Sequence, residues 1–575
     1  MSNIYKLTFI LTISLIMSIY FVACGSGIDP SGTHLAEDTK DTDDTEAMVL
    51  SPSTVGLSIG KTQTFTASNS EGTLTFEVLE GAGSIDSATG VYTAPYNEGT
   101  AVIQVTDASE NTAQATITYG ALWTWEAGGE SFDASGTYGT QGTAAEANTP
   151  GSRSNSVSWV DSDENLWLFG GYGIDSAGDL SYLNDLWKFD SSTSEWTWVA
   201  GSSTVASNGT FGDEGVASTS NIPSARTAAV HWKDSSGNFW LFGGLGYDEG
   251  GSSIGELNDL WKFDPTSLEW TLVDGSSCHR SDNACFHLAE YGTQGVASTD
   301  NIPGARKLAT SWIDSNDNLW LFGGSAYDDN DDDASAPNDC NHGTPSEPER
   351  CEDVGYYNDL WKYNISTSEW TWVSGDKEKL GTATYGTKGT AAAANTPGAR
   401  TNATSWIDAD DNLWFFGGDS TPITTGLDGE LNDLWKFNTT TSEWTWVTGE
   451  ETFDYNNGDY GTQWEASDDT SPRGRTDAVA WVRGNKLFMF GGMLGNNYKA
   501  NDLWMFDPST TQWTWLSGSK DANIKSVFDE KGTASFSTYP GARKGTTSWV
   551  DSDGNLWLFG GLGNPYGRAN DLWKL

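Results

Sequence analysis

The chain has 575 residues, with 30 basic against 79 acidic side chains and a formal net charge of −49 at pH 7. Such an excess of negative charge repels phosphate, which argues against nucleic acid as a partner. Tryptophan occurs 29 times and glycine 66 times, a combination typical of short strands joined by tight turns.

The N-terminus is predicted to be a targeting segment. Lys6 precedes an apolar run that ends at Ala23, so residues 1–23 are interpreted as a signal peptide. The acidic, polar residues 24–47 that follow are predicted to be a flexible tether.

The junction itself, Phe21-Val22-Ala23-Cys24, resembles the lipobox of bacterial lipoproteins. The resemblance implies cleavage before Cys24, acylation of Cys24, and a lipid anchor at the outer membrane or cell surface. An ordinary cleaved signal peptide and a transmembrane helix are the alternatives.

Residues 48–119 are predicted to form one small β-sandwich. Leu57, Phe76, Ile103 and similar apolar residues recur in short alternating runs with no helical period. Residues 84–92 resemble the bacterial Ig-like modules of surface proteins. The resemblance implies a spacer domain without catalytic groups.

From residue 120 onward, four short apolar stretches recur six times. The second ends in Phe-Gly-Gly, the third begins with Asn-Asp-Leu-Trp, and the fourth carries Trp-Thr-Trp or Trp-Thr-Leu. Five copies of the last motif follow their own third stretch, whereas the sixth, Trp123-Thr124-Trp125, precedes the first repeat. We expect this N-terminal strand to complete the last sheet and close a ring, which removes exposed strand edges.

These motifs resemble the kelch repeat, including its form in the central domain of galactose oxidase. The resemblance covers residues 120–575 and implies a six-bladed β-propeller, so the whole chain is predicted to be all-β. Because the first and third strands of each blade run parallel, the long links that enter them are expected to decorate one face of the propeller.

Six arginines stand at the starts of the six first strands. Two interpretations remain open: a structural role, by pairing with the recurring aspartate of the third strand or by capping loop carbonyls, or an anion-binding ring at the mouth of the central channel. The arginines are Arg153, Arg226, Arg306, Arg400, Arg475 and Arg543.

All but one of the 29 tryptophans occupy recurrent strand positions and are expected to pack between blades. The exception is Trp464, which replaces the second glycine of a loop motif found as Tyr-Gly-Thr-Gln-Gly at residues 138–142. Since its link leads to Arg475, we expect an aromatic ring beside a cation, which suits a sugar acid or another anionic ring. The alternative is that Trp464 only covers its own loop.

The third repeat has an unusually long acidic link. Its carboxylates are calcium-type ligands, although a solvated acidic loop is the alternative; they are Asp328, Asp329, Asp331, Asp332 and Asp333. Four cysteines in and just before this repeat are predicted to form two disulfides of open connectivity: Cys278, Cys285, Cys340 and Cys351.

Together these features predict a surface-anchored binding or adhesion protein that holds a glycan or a protein on its loop-rich face. A secreted carbohydrate-active or galactose-oxidase-like enzyme and a structural cell-surface component are the alternatives. No cofactor is assigned apart from the candidate calcium ion.

Overall fold

The computed structural model describes residues 47–248, 254–275, 289–327, 354–420, 429–452, 458–564 and 567–575. All regular structure in these ranges is β-strand, which confirms the all-β prediction. The same ranges hold no helix that is long and apolar enough to cross a membrane. Met48–Leu575 forms one compact unit.

The N-terminal part of this unit consists of three small sheets around one apolar core. The core includes Phe65, Phe76, Ile103 and Ile117, all nearly inaccessible to solvent. The strands alternate buried and exposed residues because successive side chains point to opposite faces. They are Val49–Ser51, Thr54–Ser58, Thr62–Thr64, Thr66–Ser68, Thr75–Glu80, Ser84–Ile85, Val91–Thr93, Gly99–Thr106 and Thr112–Gly120.

The remaining described residues contain six large sheets, each with four antiparallel main strands and here numbered sheets 1 to 6, and one separate two-stranded sheet. Sheet 1 comprises Val157–Val160, Leu166–Ile174, Leu180–Asp190 and Glu195–Ala200. Sheet 2 comprises Val230–Lys233, Phe239–Tyr247, Ile254–Asp264 and Glu269–Asp274, and sheet 3 comprises Thr310–Ile313, Asn318–Tyr327, Val354–Asn364 and Glu369–Ser374. Sheet 4 comprises Thr404–Ile407, Asn412–Phe416, Leu434–Asn438 and Glu443–Thr448, and sheet 5 comprises Val479–Arg483, Lys486–Phe490, Leu503–Asp507 and Gln512–Ser517.

Sheet 6 takes its fourth strand from the N-terminal side of the repeats. Its strands are Thr547–Val550, Leu556–Phe559, Leu572–Lys574 and Trp123–Ala127, and Trp125 pairs with Trp573. Short additional strands flank the sheets at Arg153–Ser154, Arg226–Thr227, Asp419–Ser420, Gly429–Glu430 and Ala534–Ser535.

A circular set of backbone hydrogen bonds links the six sheets. One residue just before each first strand donates its N–H to the equivalent carbonyl of a neighbouring sheet, at N···O distances between 2.8 and 3.2 Å. Each of these residues has a positive φ between 55° and 59°. In order the donors are Ala228, Leu308, Asn402, Asp477 and Gly545, and Asn155 donates to the Gly545 carbonyl, which returns the series to sheet 1.

A second circular set runs through the tryptophans of the first strands. Trp159 in sheet 1 donates its indole Nε1–H to the Trp232 carbonyl of sheet 2 at 2.8 Å, and Trp549 in sheet 6 donates to the Trp167 carbonyl of sheet 1 at 3.1 Å. Each neighbouring pair of sheets shares an apolar cluster built around such rings. The tryptophans therefore pack between sheets, as the sequence predicted, and burial of each ring contributes roughly 2–3 kcal/mol.

The N-terminal sheets rest on the tight-turn side of sheets 5 and 6. Ile59 is fully buried in the apolar cluster that these two sheets share, and the Tyr96 ring lies 6.1 Å from the Phe488 ring. Lys61 donates from Nζ to the carbonyl oxygen of Asp553 in a turn of sheet 6.

Candidate functional site

The long links of each repeat leave from the same side of its sheet. Arg153 stands just before the first strand of sheet 1 and Asp185 lies in the middle of the third strand, and the two side chains touch. Because first and third strands run parallel in an antiparallel sheet, the links that enter them share one edge. The opposite edge carries short turns such as residues 161–165, where Asp161 accepts hydrogen bonds from Asn165 and Trp167.

A buried arginine–aspartate pair joins the start of the first strand to the third-strand segment in every sheet. In sheet 1, both Nη atoms of Arg153 donate to the two carboxylate oxygens of Asp185 at 2.7 Å, and the side chains are 1% and 0% exposed. The remaining pairs have the same bidentate geometry and burial: Arg226–Asp259, Arg306–Asp359, Arg400–Asp433, Arg475–Asp502 and Arg543–Asp571.

Two further donors complete the hydrogen bonding of the Asp185 carboxylate in sheet 1. Trp187 Nε1 and the Tyr138 hydroxyl each lie 2.7 Å from Asp185 Oδ2. Burial, followed by the charge of Asp185, raises the pKa of Tyr138, so the hydroxyl stays protonated and donates. This role of the tyrosine was not predicted from the sequence, although Tyr138 recurs as Tyr291, Tyr385 and Tyr460. Recurrence in step with the aspartate was the available signal.

This geometry replaces the anion-binding interpretation of the six arginines with the structural one. Burial disfavours the charge of Arg153, but the carboxylate of Asp185 outweighs it and raises the pKa. In sheet 5, burial opposes ionisation of Asp502, yet the Arg475 charge and hydrogen bonds lower its pKa below the usual range. With the guanidinium groups at most 2% exposed and bonded within the sheet, they offer no surface to a ligand.

Trp464 occupies a backbone position that is glycine in the other five repeats. Its N–H donates to the Trp515 carbonyl on the outer strand of sheet 5 at 2.9 Å, as the Gly142 N–H donates to the Trp198 carbonyl in sheet 1. The φ of Trp464 is 71°, close to the 76° of Gly142. This left-handed conformation costs a bulky residue about 1–2 kcal/mol relative to glycine. The repeat therefore demands a glycine here, and the tryptophan is a strained exception.

The side chain of Trp464 lines a cavity of about 310 Å³, here called the Trp464 pocket. Phe536, which is 45% exposed, and Tyr539, which is partly buried, line the same cavity. Glu98 from the N-terminal sheets also lines the pocket, with Gln463 and Thr538. Arg475 does not line the Trp464 pocket, so the expectation that the Trp464 ring lies beside that cation is wrong. The backbone at Trp464 runs along the outer strand of sheet 5, whereas the Arg475 side chain is buried inside the sheet.

A separate cavity of about 360 Å³ lies between the first strands and is lined mainly by hydroxyl groups. His231 faces it from sheet 2, at the position that Ser158, Ser311, Ser405 and Ser548 occupy in other sheets. Burial lowers the pKa of His231 to about 4, so the imidazole is neutral near pH 7.

Several sequence-predicted sites lie outside the described residues. These are the acylation site Cys24, the candidate disulfide cysteines Cys278, Cys285, Cys340 and Cys351, and the candidate calcium ligands Asp328, Asp329, Asp331, Asp332 and Asp333. Within the described ranges, no three His, Cys, Asp or Glu side chains come together as a metal-binding group.

One region of the chain matches a known family model. Residues 391–526, which contain sheets 4 and 5, match the family model for the KLHDC2/KLHL20/DRC7 Kelch-repeats domain. The match and the series of four-stranded sheets support a kelch β-propeller, a scaffold of the protein-binding kind.

Proposed function

We propose that this chain is an exported, lipid-anchored surface protein that binds a glycan or protein ligand through the links of a six-bladed propeller. In this proposal sheets 1 to 6 are the blades, residues 48–119 are an Ig-like stalk, and Cys24 carries the lipid. The kelch match and the four strands per sheet support the blade assignment.

Closure of the propeller by the N-terminal strand is supported by contacts of Trp123–Ala127. Trp123 is 2% exposed and its ring meets Phe490 of sheet 5 edge-on at 5.4 Å. Trp125 is 8% exposed and lies across from Trp573. This strand therefore contacts both sheet 5 and sheet 6, as a closing strand must.

The rigidity of the scaffold supports a binding role. The same buried arginine–aspartate pair ties the start of the first strand to the third-strand segment in all six sheets, so the sheets differ mostly in their links. Loops on a rigid scaffold are where binding residues concentrate.

The single observation that carries the binding assignment is Trp464. A strained aromatic residue stands at a position that is glycine in the other five repeats, and it lines a cavity together with the exposed residue Phe536. Strain of this kind concentrates at ligand sites.

The proposal is tested by applying purified residues 48–575 to a glycan array and to immobilised surface proteins. The expected result is saturable binding to a restricted set of ligands. Absence of binding to both panels would instead favour a structural cell-surface component.

A further inference from the structure

We propose that the Trp464 pocket binds one uncharged sugar ring at the end of a glycan and discriminates against sugar acids. This inference rests on the proposed binding function and specifies its site and ligand class. It also makes the N-terminal sheets part of the binding site, because Glu98 contributes to the pocket wall.

The aromatic part of the site is preformed. The backbone at Gly120 packs so closely against Phe536 that a Cβ there would lie 2.5 Å from a ring carbon and 3.2 Å from Cγ of Glu98. Gly120 therefore brings a ring from the sheet 6 link and a carboxylate from the N-terminal sheets to the same place. Trp464 and Tyr539 add two partly exposed rings, and aromatic faces suit the C–H face of a pyranose.

A buried hydroxyl without a partner provides the second observation. Thr538 is 1% exposed, and its Oγ1 has no hydrogen-bond partner among the described residues. In sheet 1 the equivalent residue is Asn148, whose longer side chain donates to the Thr143 and Trp196 carbonyls at 2.9 Å. A buried polar atom left unpaired costs free energy, and a ligand hydroxyl in the pocket would satisfy it.

The charge of the pocket selects the ligand class. Among the described residues that line the pocket, Glu98 is the charged one, and none is a lysine or an arginine. A carboxylate accepts hydrogen bonds from sugar hydroxyls but repels a second carboxylate, and the net charge of −49 reinforces that repulsion. A cavity of about 310 Å³ is at the small end of ligand sites and suits a single ring rather than an extended peptide.

The test uses tryptophan fluorescence of residues 48–575 titrated with methyl glycosides of glucose, galactose, mannose and N-acetylglucosamine. Glucuronic acid and N-acetylneuraminic acid serve as acidic comparators. We expect at least one neutral glycoside to bind saturably and neither acid to bind better. Trp464→Gly, which restores the residue of the other repeats, should weaken that binding at least about tenfold, and Phe536→Ala should weaken it as well. Glu98→Gln should narrow the preference for neutral over acidic sugars.

Controls separate loss of the site from loss of the fold. Trp464→Gly should melt within about 4 °C of the wild type. Tyr498→Ala, which removes an aromatic ring that is 50% exposed and does not line the Trp464 pocket, should leave glycoside binding unchanged. The inference is overturned if Trp464→Gly and Phe536→Ala both bind the glycoside normally, if an acid binds better, or if an aromatic peptide binds and no glycoside does. If array ligands still bind while these glycosides do not, the site assignment fails and the proposed binding function stands.

Discussion

His231 should make the stability of the folded chain depend on pH between about 4 and 6.5. Its imidazole has a pKa lowered to about 4 by burial, against an ordinary value of 6.5. Between pH 6.5 and about 4, His231 is therefore mostly protonated in the unfolded chain and mostly neutral in the folded chain. The stabilising contribution is complete above pH 6.5 and is lost as pH falls toward 4.

The size of the effect follows from the two pKa values. At pH 5 the difference in proton binding amounts to about 2 kcal/mol, and water in the adjacent cavity should reduce this to about 1–2 kcal/mol. Among the described residues that line this cavity, no other side chain is titratable, so the imidazole is the group that senses pH there. His231→Ser installs the side chain that four other sheets carry at this position.

The assay is urea unfolding of wild type and His231→Ser at pH 7.5 and pH 5.0. The wild type should lose more stability between these pH values than the variant, by about 1–2 kcal/mol. Other histidines are common to both proteins and cancel. An equal loss in the two proteins would show that His231 is protonated as easily in the folded state as in the unfolded state, and would refute the assigned burial effect.

Three further experiments test the buried pairs, the closing strand and the proposed anchor. Asp185→Asn should destabilise the protein by about 3–5 kcal/mol, because it leaves the buried Arg153 charge without its partner. Tyr138→Phe should cost only about 1 kcal/mol, because Phe211 and Phe528 occupy the equivalent position beside sheets 2 and 6. Equal melting temperatures for the two variants would contradict this order. Deletion of residues 121–126 should unfold sheet 6 by exposing Trp573, which Phe528 and the closing strand cover, while deletion of residues 25–46 should leave the thermal transition unchanged; similar transitions in both deletions would count against closure. Cys24→Ala should release the protein from membranes or leave it unprocessed, and unchanged membrane association in cell fractionation would rule out acylation as the anchor.

The repeated features were predictable because six copies of the same motifs all support one structural interpretation. The strands, the shared edge for the long links and the packing of tryptophans between sheets all follow from the motifs around Phe-Gly-Gly and Asn-Asp-Leu-Trp. The arginine–aspartate pairs were one of two open interpretations, and burial decides between them. A spacing of about 30 residues shows that two side chains can meet but not whether water reaches them.

The Trp464 pocket could be predicted only in part. The sequence identified Trp464 as the tryptophan outside the strands, and its replacement of glycine follows from the loop motif. Its neighbours come from distant segments: Glu98 precedes it by more than 300 residues, and Phe536 belongs to the next link. Which end of a link packs on the outer strand depends on three-dimensional contacts, so the assumed proximity to Arg475 failed.

The proposed closure of the six blades is tested most directly by residue-resolved hydrogen exchange at the amides that link the sheets. The Asn155 N–H donates to the Gly545 carbonyl at 2.8 Å, and the bond joins sheet 1 to sheet 6 across most of the chain. A closed ring predicts that the Asn155 amide is protected as strongly as the Ala228 and Leu308 amides, which make the same bond between consecutive sheets. Exchange of Asn155 at the rate of an exposed loop, with Ala228 and Leu308 still protected, would show an open arrangement and contradict the six-bladed account.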